Sequence, residues 1–157
     1  FKTFLLIMLP LSKPILATAA LFAAFVSATA FAGDDRTISF DKLPEKAQQF
    51  IKQHFGDKVV SSVRQDTDWL GGDYDVRFVD GAEISFRHNG EWDDVECKDS
   101  QVPAAIVPEK IASYVTEKYP DSRIVEIDRD LRGYEIELSN DVKLKFDRKG
   151  EFTSIDK

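Results

Sequence analysis

Cysteine and histidine are almost absent from this 157-residue chain, which holds one cysteine and two histidines. A disulfide within the chain is therefore impossible, so a packed apolar core must supply the stability. His54 and His88 are far apart in the sequence, and no Cys/His cluster has the spacing of a zinc site. Cys97 is compatible with two roles, as a small buried residue or as one half of a disulfide between chains.

Acidic residues are missing from residues 1–32, although the chain contains 28 of them. This segment has two lysines, an apolar run at 15–26 and a small-x-small ending, Ala30-Phe31-Ala32, as signal peptides have. We therefore predict a signal peptide that is cleaved after Ala32, and a periplasmic or secreted mature protein. The alternative is a permanent anchor, but the run is shorter than the ~20 residues that a membrane span needs.

Basic residues are too few to balance the acidic ones beyond residue 32. Residues 33–157 carry 19 lysines and arginines against 28 aspartates and glutamates, a formal net charge of −9. Nucleic acid and anionic membrane surfaces are disfavoured as partners because their binding needs clustered basic side chains. The negative charge favours basic or cationic partners instead.

An internal repeat organises the remaining sequence. Residues 43–47 match 107–111 at an offset of 64, and residues 74–78 match 134–138 at an offset of 60. The change of offset means that the first copy has a longer loop. The predicted organisation is a signal peptide (1–32), a first repeat (33–97), a linker (98–102) and a second repeat (103–157).

Each copy predicts one helix followed by strands. Leu43, Ala47, Ile51 and Phe55 recur with helical spacing, and the second copy keeps the same apolar positions. Alternating apolar and polar residues then indicate strands with one buried and one wet face. The predicted fold class is α+β, a tandem repeat of a helix plus a four-stranded antiparallel meander, with the helices packed on one face of the sheet or sheets.

Turn residues and charges predict the hairpin registers. Three-residue loops that end in Gly, or in Asp as the next best residue, suit a hairpin whose last loop residue is left-handed. With such loops, Arg77 lies opposite Glu83, and Glu137 lies opposite Lys143. Opposite charges across a strand pair are favourable, so the turns and the charges agree.

An acidic, glycine-containing loop in the first copy is the best candidate for a binding site. Its carboxylates do not follow the calcium-binding EF-hand pattern, because Leu70 and Arg77 occupy ligand positions. An exposed tryptophan in such a loop is typical of a binding hot spot. The alternative is that the tryptophan folds back onto the sheet. The predicted partner-binding residues are Asp68, Trp69, Leu70 and Asp73.

No catalytic constellation is evident in the sequence. Asp93, Asp94 and Glu96 form a second acidic group, but no base, nucleophile or oxyanion donor accompanies them. We interpret this group as the charged face of a strand. A small-ligand or calcium sensor that uses the acidic surface is an alternative to a protein-binding role.

Two stretches resemble the PepSY-like family of exported bacterial proteins, also described as beta-lactamase-inhibitor-like. They are Leu43-Pro44-Glu45-Lys46-Ala47 with Phe50–Phe55, and Tyr134–Asn140 with Leu144–Asp147 and Gly150. The resemblance covers roughly Leu43 to Ile155 and implies a periplasmic or secreted protein with no cofactor. It also implies a non-catalytic binding module that inhibits a protease or another envelope enzyme through protein–protein contact.

Overall fold

The described residues fold into one antiparallel sheet and two α-helices, as their apolar pattern indicates. The computed structural model describes residues 36–66 and 72–156, so the predicted signal peptide lies outside the described residues. The strands are β1 Arg36–Thr37, β2 Val60–Gln65, β3 Tyr74–Phe78, β4 Glu83–Phe86, β5 Trp92–Glu96, β6 Ile124–Arg129, β7 Gly133–Leu138, β8 Lys143–Asp147 and β9 Phe152–Asp156. The helices are α1 Glu45–His54 and α2 Glu109–Lys118.

The strands follow each other in the sheet in the order in which they occur in the chain. Each strand from β1 to β9 is antiparallel to its neighbour, so the nine strands form one continuous sheet. The fold is therefore α+β, as predicted. β1 and the 3-10 turn Phe40–Lys42 were not predicted from the sequence, and a second 3-10 turn, Ala104–Ile106, precedes α2.

Both helices contribute their apolar stripe to the core. Ala47 and Ile51 of α1 are buried, as are Ile111 and Val115 of α2. A proline precedes each helix as its N-cap, one position earlier than the first-turn place that prolines favour. Among the described residues, no helix is long and apolar enough to cross a membrane.

The hairpin turns confirm the predicted registers. Gly81 and Asp141 end their loops with φ angles of +87° and +63°, in the left-handed region that glycine tolerates best. The polar faces pair as expected across both hairpins. The N–O distances are 3.0 Å for Arg77–Glu83 and 3.1 Å for Lys143–Glu137.

The core is apolar throughout the described part of the chain, where no polar or charged residue is buried. Cys97 is 1% exposed and Trp92 is 9% exposed. Burial also raises the pKa of the Cys97 thiol. The buried position favours the packing role for this cysteine over a disulfide between chains.

Both ends of the linker are hydrogen-bonded to β6. The N–H of Cys97 donates to the carbonyl of Val125 at 2.6 Å, and the N–H of Val102 donates to the carbonyl of Ile124 at 2.9 Å. Val102 itself is buried in the core. The linker is thus fastened at both ends, and the two halves meet at the β5–β6 pair without a break in the sheet.

Candidate functional site

The polar face of the sheet carries a band of carboxylates at its centre. Residues directly opposite each other on neighbouring strands point to the same face. Across β5 and β6, Asp94 lies opposite Asp128, and Glu96 lies opposite Glu126. The register continues onto β4 and β7, and we call the following residues the acidic band: Glu83, Asp94, Glu96, Glu126, Asp128, Glu135 and Glu137.

The acidic band consists of two rows that run across the strands. One row holds four glutamates on four consecutive strands: Glu83, Glu96, Glu126 and Glu137. The other row holds Asp94, Asp128 and Glu135. Strands lie about 4.8 Å apart, so the longer row extends for roughly 14 Å. Like charges directly opposite each other destabilise a sheet, so this arrangement has an energetic cost.

Basic side chains neutralise the edges of the acidic band but not its centre. Four ion pairs lie along the edges, with N–O distances of 3.0 Å for Arg77–Glu83, 3.1 Å for Lys143–Glu137, 3.4 Å for Lys98–Glu96 and 3.6 Å for Lys145–Glu135. Within residues 36–66 and 72–156, no basic group forms an ion pair with Asp94, Glu126 or Asp128. We call these three residues the central trio.

The environment of the central trio favours protonated carboxyl groups. Burial raises the pKa of Asp94 to about 7, and the negative charges of Glu126 and Asp128 add to the effect. Burial is also the main reason why the pKa values of Glu126 and Asp128 are raised. Oδ1 of Asp94 is buried and accepts no hydrogen bond from the described residues. A positively charged ligand would stabilise the ionised form of this group.

The carboxylates of the acidic band are spread out rather than convergent. In the part of the chain that the structure describes, no three His, Cys, Asp or Glu side chains are grouped to hold a metal ion. His54 packs its ring against Phe50 at a centroid distance of 4.8 Å, and His88 is exposed in a turn. The spread favours a ligand that carries several positive charges over one small cation.

The predicted acidic group on β5 does form part of a charged strand face, as we interpreted it. Asp94 and Glu96 point to the polar face. Asp93 is the extra residue of a bulge in the β4–β5 pair and lies 3.5 Å from the Arg87 guanidinium.

The loop that the sequence analysis selected is described only at its ends. Three of its predicted residues lie outside the described residues: Asp68, Trp69 and Leu70. The carbonyl of Asp73 accepts the N–H of Asp66 at 3.0 Å, and its Oδ1 accepts the N–H of His88 at 3.0 Å. Asp73 thus fastens the base of the loop to the β4–β5 turn, and its part in partner binding stays a prediction.

Sequence reasoning missed the acidic band because hairpin signals say nothing about the pairing of β5 with β6. Those strands are separated in the chain by residues 97–123, which include α2, rather than by a tight turn. A usable signal was present, since the polar positions of both strands are occupied by acids alone: Asp94, Glu96, Glu126 and Asp128. Pairing the last strand of one copy with the first strand of the next would have brought these residues together.

The chain is similar to a protein family and to solved bacterial structures. The family described as "Putative beta-lactamase-inhibitor-like, PepSY-like" matches residues 72–154. A Bacteroides thetaiotaomicron protein described as a "putative calcium-regulated periplasmic protein" is 44% identical, with a TM-score of 0.76, over 79% of this chain and 98% of that chain. No curated protein sequence matches the chain.

Two proteins of Bacteroides vulgatus are also similar, and both are described as periplasmic. One is 43% identical with a TM-score of 0.76, over 80% of this chain and 99% of that chain. The other is of unknown function and is 32% identical with a TM-score of 0.74, over 78% of this chain and 99% of that chain. These matches confirm the resemblance that the helix starts and hairpin residues suggested, and this chain belongs to the PepSY-like, beta-lactamase-inhibitor-like family.

Proposed function

We propose that this protein is an exported, non-catalytic binding protein of the cell envelope that docks a basic segment of another protein on the acidic band. The observation that carries the proposal is the central trio, Asp94, Glu126 and Asp128. These carboxyl groups face like charges across the strands and have no ion-pair partner among the described residues. The inhibitor-like description of the family and the periplasmic relatives support this function and this compartment.

The shape and charge of the acidic band suit a protein segment with several lysines or arginines. A basic side chain placed over the central trio would replace repulsion by attraction, and the flanking ion pairs would limit the register of docking. Complementary charges of this kind also speed association and select against wrong partners. Asp73 and the loop residues Asp68, Trp69 and Leu70 are proposed as additional contacts.

A decalysine peptide is a suitable first probe of the acidic band. Isothermal titration should show binding that weakens as salt rises, because screening shortens the range of charge interactions. Asp94→Asn and Asp128→Asn keep the side-chain shape and should each weaken binding about tenfold at low salt. The matched control is Asp121→Asn, which removes an exposed carboxylate outside the acidic band.

The test compares the affinities of these variants for decalysine, because binding by the wild type alone does not identify the acidic band as the site. If Asp94→Asn, Asp128→Asn and Asp121→Asn weaken decalysine binding equally, general charge attraction is sufficient and the acidic band is not a docking site. Thermal melting of each variant checks that the fold is retained.

Inhibition of an envelope enzyme is the more specific form of this proposal. Purified beta-lactamases and envelope proteases can be assayed with the wild-type protein and with the Asp94→Asn/Asp128→Asn double variant. Inhibition by the wild type alone would support docking on the acidic band. Equal inhibition by both would place the inhibitory contact elsewhere.

Calcium binding is a second candidate, favoured by one specific observation. A relative that is 44% identical is described as calcium-regulated, and calcium prefers carboxylate and carbonyl oxygens. Calorimetry with calcium chloride, and with magnesium chloride as the control, tests this candidate. Saturable heat with calcium alone would support it, and an absence of heat at millimolar calcium would exclude it.

The proposal includes export through a signal peptide at 1–32 and two copies of one helix-plus-meander unit. N-terminal sequencing of protein recovered from a periplasmic fraction should begin at Gly33, whereas retention of the segment would favour the anchor. Superposition of 33–97 on 103–157 in an experimental structure should align the helices and strands of the two units.

A further inference from the structure

β9 is an edge strand whose pairing repeats that of an internal strand. Its register against β8 is the register of β5 against β4, shifted by 60 residues, as from Glu83 to Lys143. Ile155 occupies the place of Val95, and Phe152 occupies the place of Trp92, with a bulge at the same position. β5 therefore shows what such a strand binds on its free side.

The free side of β5 is covered by β6. Ile127 lies opposite Val95, and both side chains are fully buried. The guanidinium of Arg129 stacks on the ring of Trp92 at 4.1 Å from its centroid, and its Nε donates to the carbonyl of Trp92 at 2.7 Å. One apolar residue and an arginine two positions later thus bury the end of β5.

The corresponding side of β9 is open. Phe152 is 37% exposed and Ile155 is 48% exposed, and all five residues of the strand are exposed. Tyr114 of α2 stacks on one face of the Phe152 ring at a centroid distance of 4.7 Å. On this side the strand presents two apolar side chains, Phe152 and Ile155, and no further strand pairs with it among the described residues.

The two edge strands of the sheet, β1 and β9, differ in length and in their protection against pairing with another strand. β1 is only two residues long, which makes it a poor template for added strands. β9 has five residues and contains neither lysine nor proline, and its edge protection is limited to one bulge and the charge of Asp156. The edge at β9 is thus longer than that at β1 and better able to accept an incoming strand.

The negative charge near Phe152 favours a binding partner with basic side chains. The groove between α2 and the β8–β9 turn is lined by Glu109, Glu117 and Glu151, with Lys110 paired to Glu151. Glu151 holds the position that Glu91 holds beside Trp92. In that first half, Lys46 is the main cause of the lowered pKa of Glu91, and Arg129 of β6 adds to it.

We propose that β9 accepts an additional antiparallel strand from a partner protein, with an apolar residue opposite Ile155 and an arginine two residues later over Phe152. This strand would complete β9 as β6 completes β5. The main-chain bonds would supply affinity, and the two side-chain positions would supply specificity. This surface is separate from the acidic band, so failure of strand addition at β9 would not count against the proposed function, and the reverse also holds.

A capped peptide that copies residues 122–130 of this chain is the probe, because it contains the Ile-x-Arg pattern of β6. Amide chemical shifts of the labelled full protein should change most at Phe152–Asp156 during the titration. A control peptide with the substitution Arg129→Ala should bind about fivefold more weakly, as expected from loss of the cation–π contact. In the protein, Ile155→Lys should abolish the shift changes.

The matched control in the protein is Val79→Lys, because Val79 is 70% exposed in the β3–β4 turn, outside β9. The proposal is overturned by an absence of peptide binding, or by equal binding of the Ile155→Lys and Val79→Lys variants. It is also overturned if the shifts change at β5 instead, through exchange of the native β6. Concentration-dependent dimerisation that Ile155→Lys removes, without peptide binding, would identify a second copy as the occupant and likewise overturn it.

Discussion

β5 and β9 have the same register against their hairpin partners but opposite surroundings. β5 has β6 on its other side, so Val95 has no exposed surface, whereas Ile155 in the same position on β9 is 48% exposed. Their residue patterns are alike, with apolar residues on the helix side and polar residues on the other. Burial at these strands is therefore decided by the neighbour of the strand rather than by its own sequence.

The largest difference between equivalent positions is expected where β3 and β7 begin. A Cβ added at Gly133 would lie 2.0 Å from the carbonyl oxygen of Phe146, and that backbone cannot move as a side chain can. Gly133→Ala should lower the free energy of unfolding by about 3 kcal/mol. Asp73 stands in the corresponding place, and Asp73→Ala should cost about 1 kcal/mol through the lost bond to the His88 N–H.

Urea unfolding of the Gly133→Ala and Asp73→Ala variants measures this difference. Equal losses of stability would mean that the two positions do not differ in strain. The two halves of the sheet would then be alike at the place where the largest difference is expected.

A smaller difference is expected between β5 and β9 themselves. Val95→Ala leaves a cavity between packed strands and should lower the free energy of unfolding by about 2 kcal/mol. Ile155→Ala removes a larger but half-exposed side chain and should cost only about 0.5 kcal/mol. Chemical denaturation at several protein concentrations provides the values. A loss at Ile155 that matches the loss at Val95, and grows with concentration, would show that β9 is covered in solution.

The smallest expected effect concerns pH. Asp94 has a pKa of about 7 in the folded protein against a usual value of 3.8, so the folded state binds its proton more tightly than the unfolded state. Stability should therefore fall as pH rises from about 4 to about 7, and this group should add no further change above that range. The loss should be about 1 kcal/mol after allowance for partial exposure of the group.

Asp94→Asn should remove the share of this pH dependence that Asp94 contributes and leave the share of Glu126 and Asp128. The equivalent residue on β9 is Ser154, which is exposed at the edge, so Ser154→Asp should introduce none. Thermal melts of both variants between pH 4 and pH 8 provide the test. A pH-dependent fall that persists undiminished in Asp94→Asn would assign the effect to other carboxyl groups of the acidic band.

Local chemistry made much of the fold predictable. A loop of three residues ending in Gly81 or Asp141 fixes its hairpin almost alone, because few residues accept a left-handed backbone. The helix stripes were equally clear, since Ala47 is followed by Ile51, and Ile111 by Val115, at the helical spacing. Both kinds of signal act within a few residues of each other in the chain.

The rest depended on contacts that no local pattern encodes. The short strand β1 pairs with β2 across the whole first helix, and nothing in Arg36–Thr37 indicates a strand. The acidic band needed the β5–β6 pair, whose strands are separated by residues 97–123, including α2, so no local turn specifies their register. Asp94 was noticed as an acidic residue, but its partner Asp128 became visible only in three dimensions.

The β5–β6 pair gives the acidic band its length. A single helix-plus-meander unit would present two glutamates in a row, Glu83 with Glu96 or Glu126 with Glu137. Joining two such units edge to edge doubles the row and places its most crowded charges at the join. The surface that we propose as the docking site thus belongs to neither half of the sheet alone and exists only where the two halves meet.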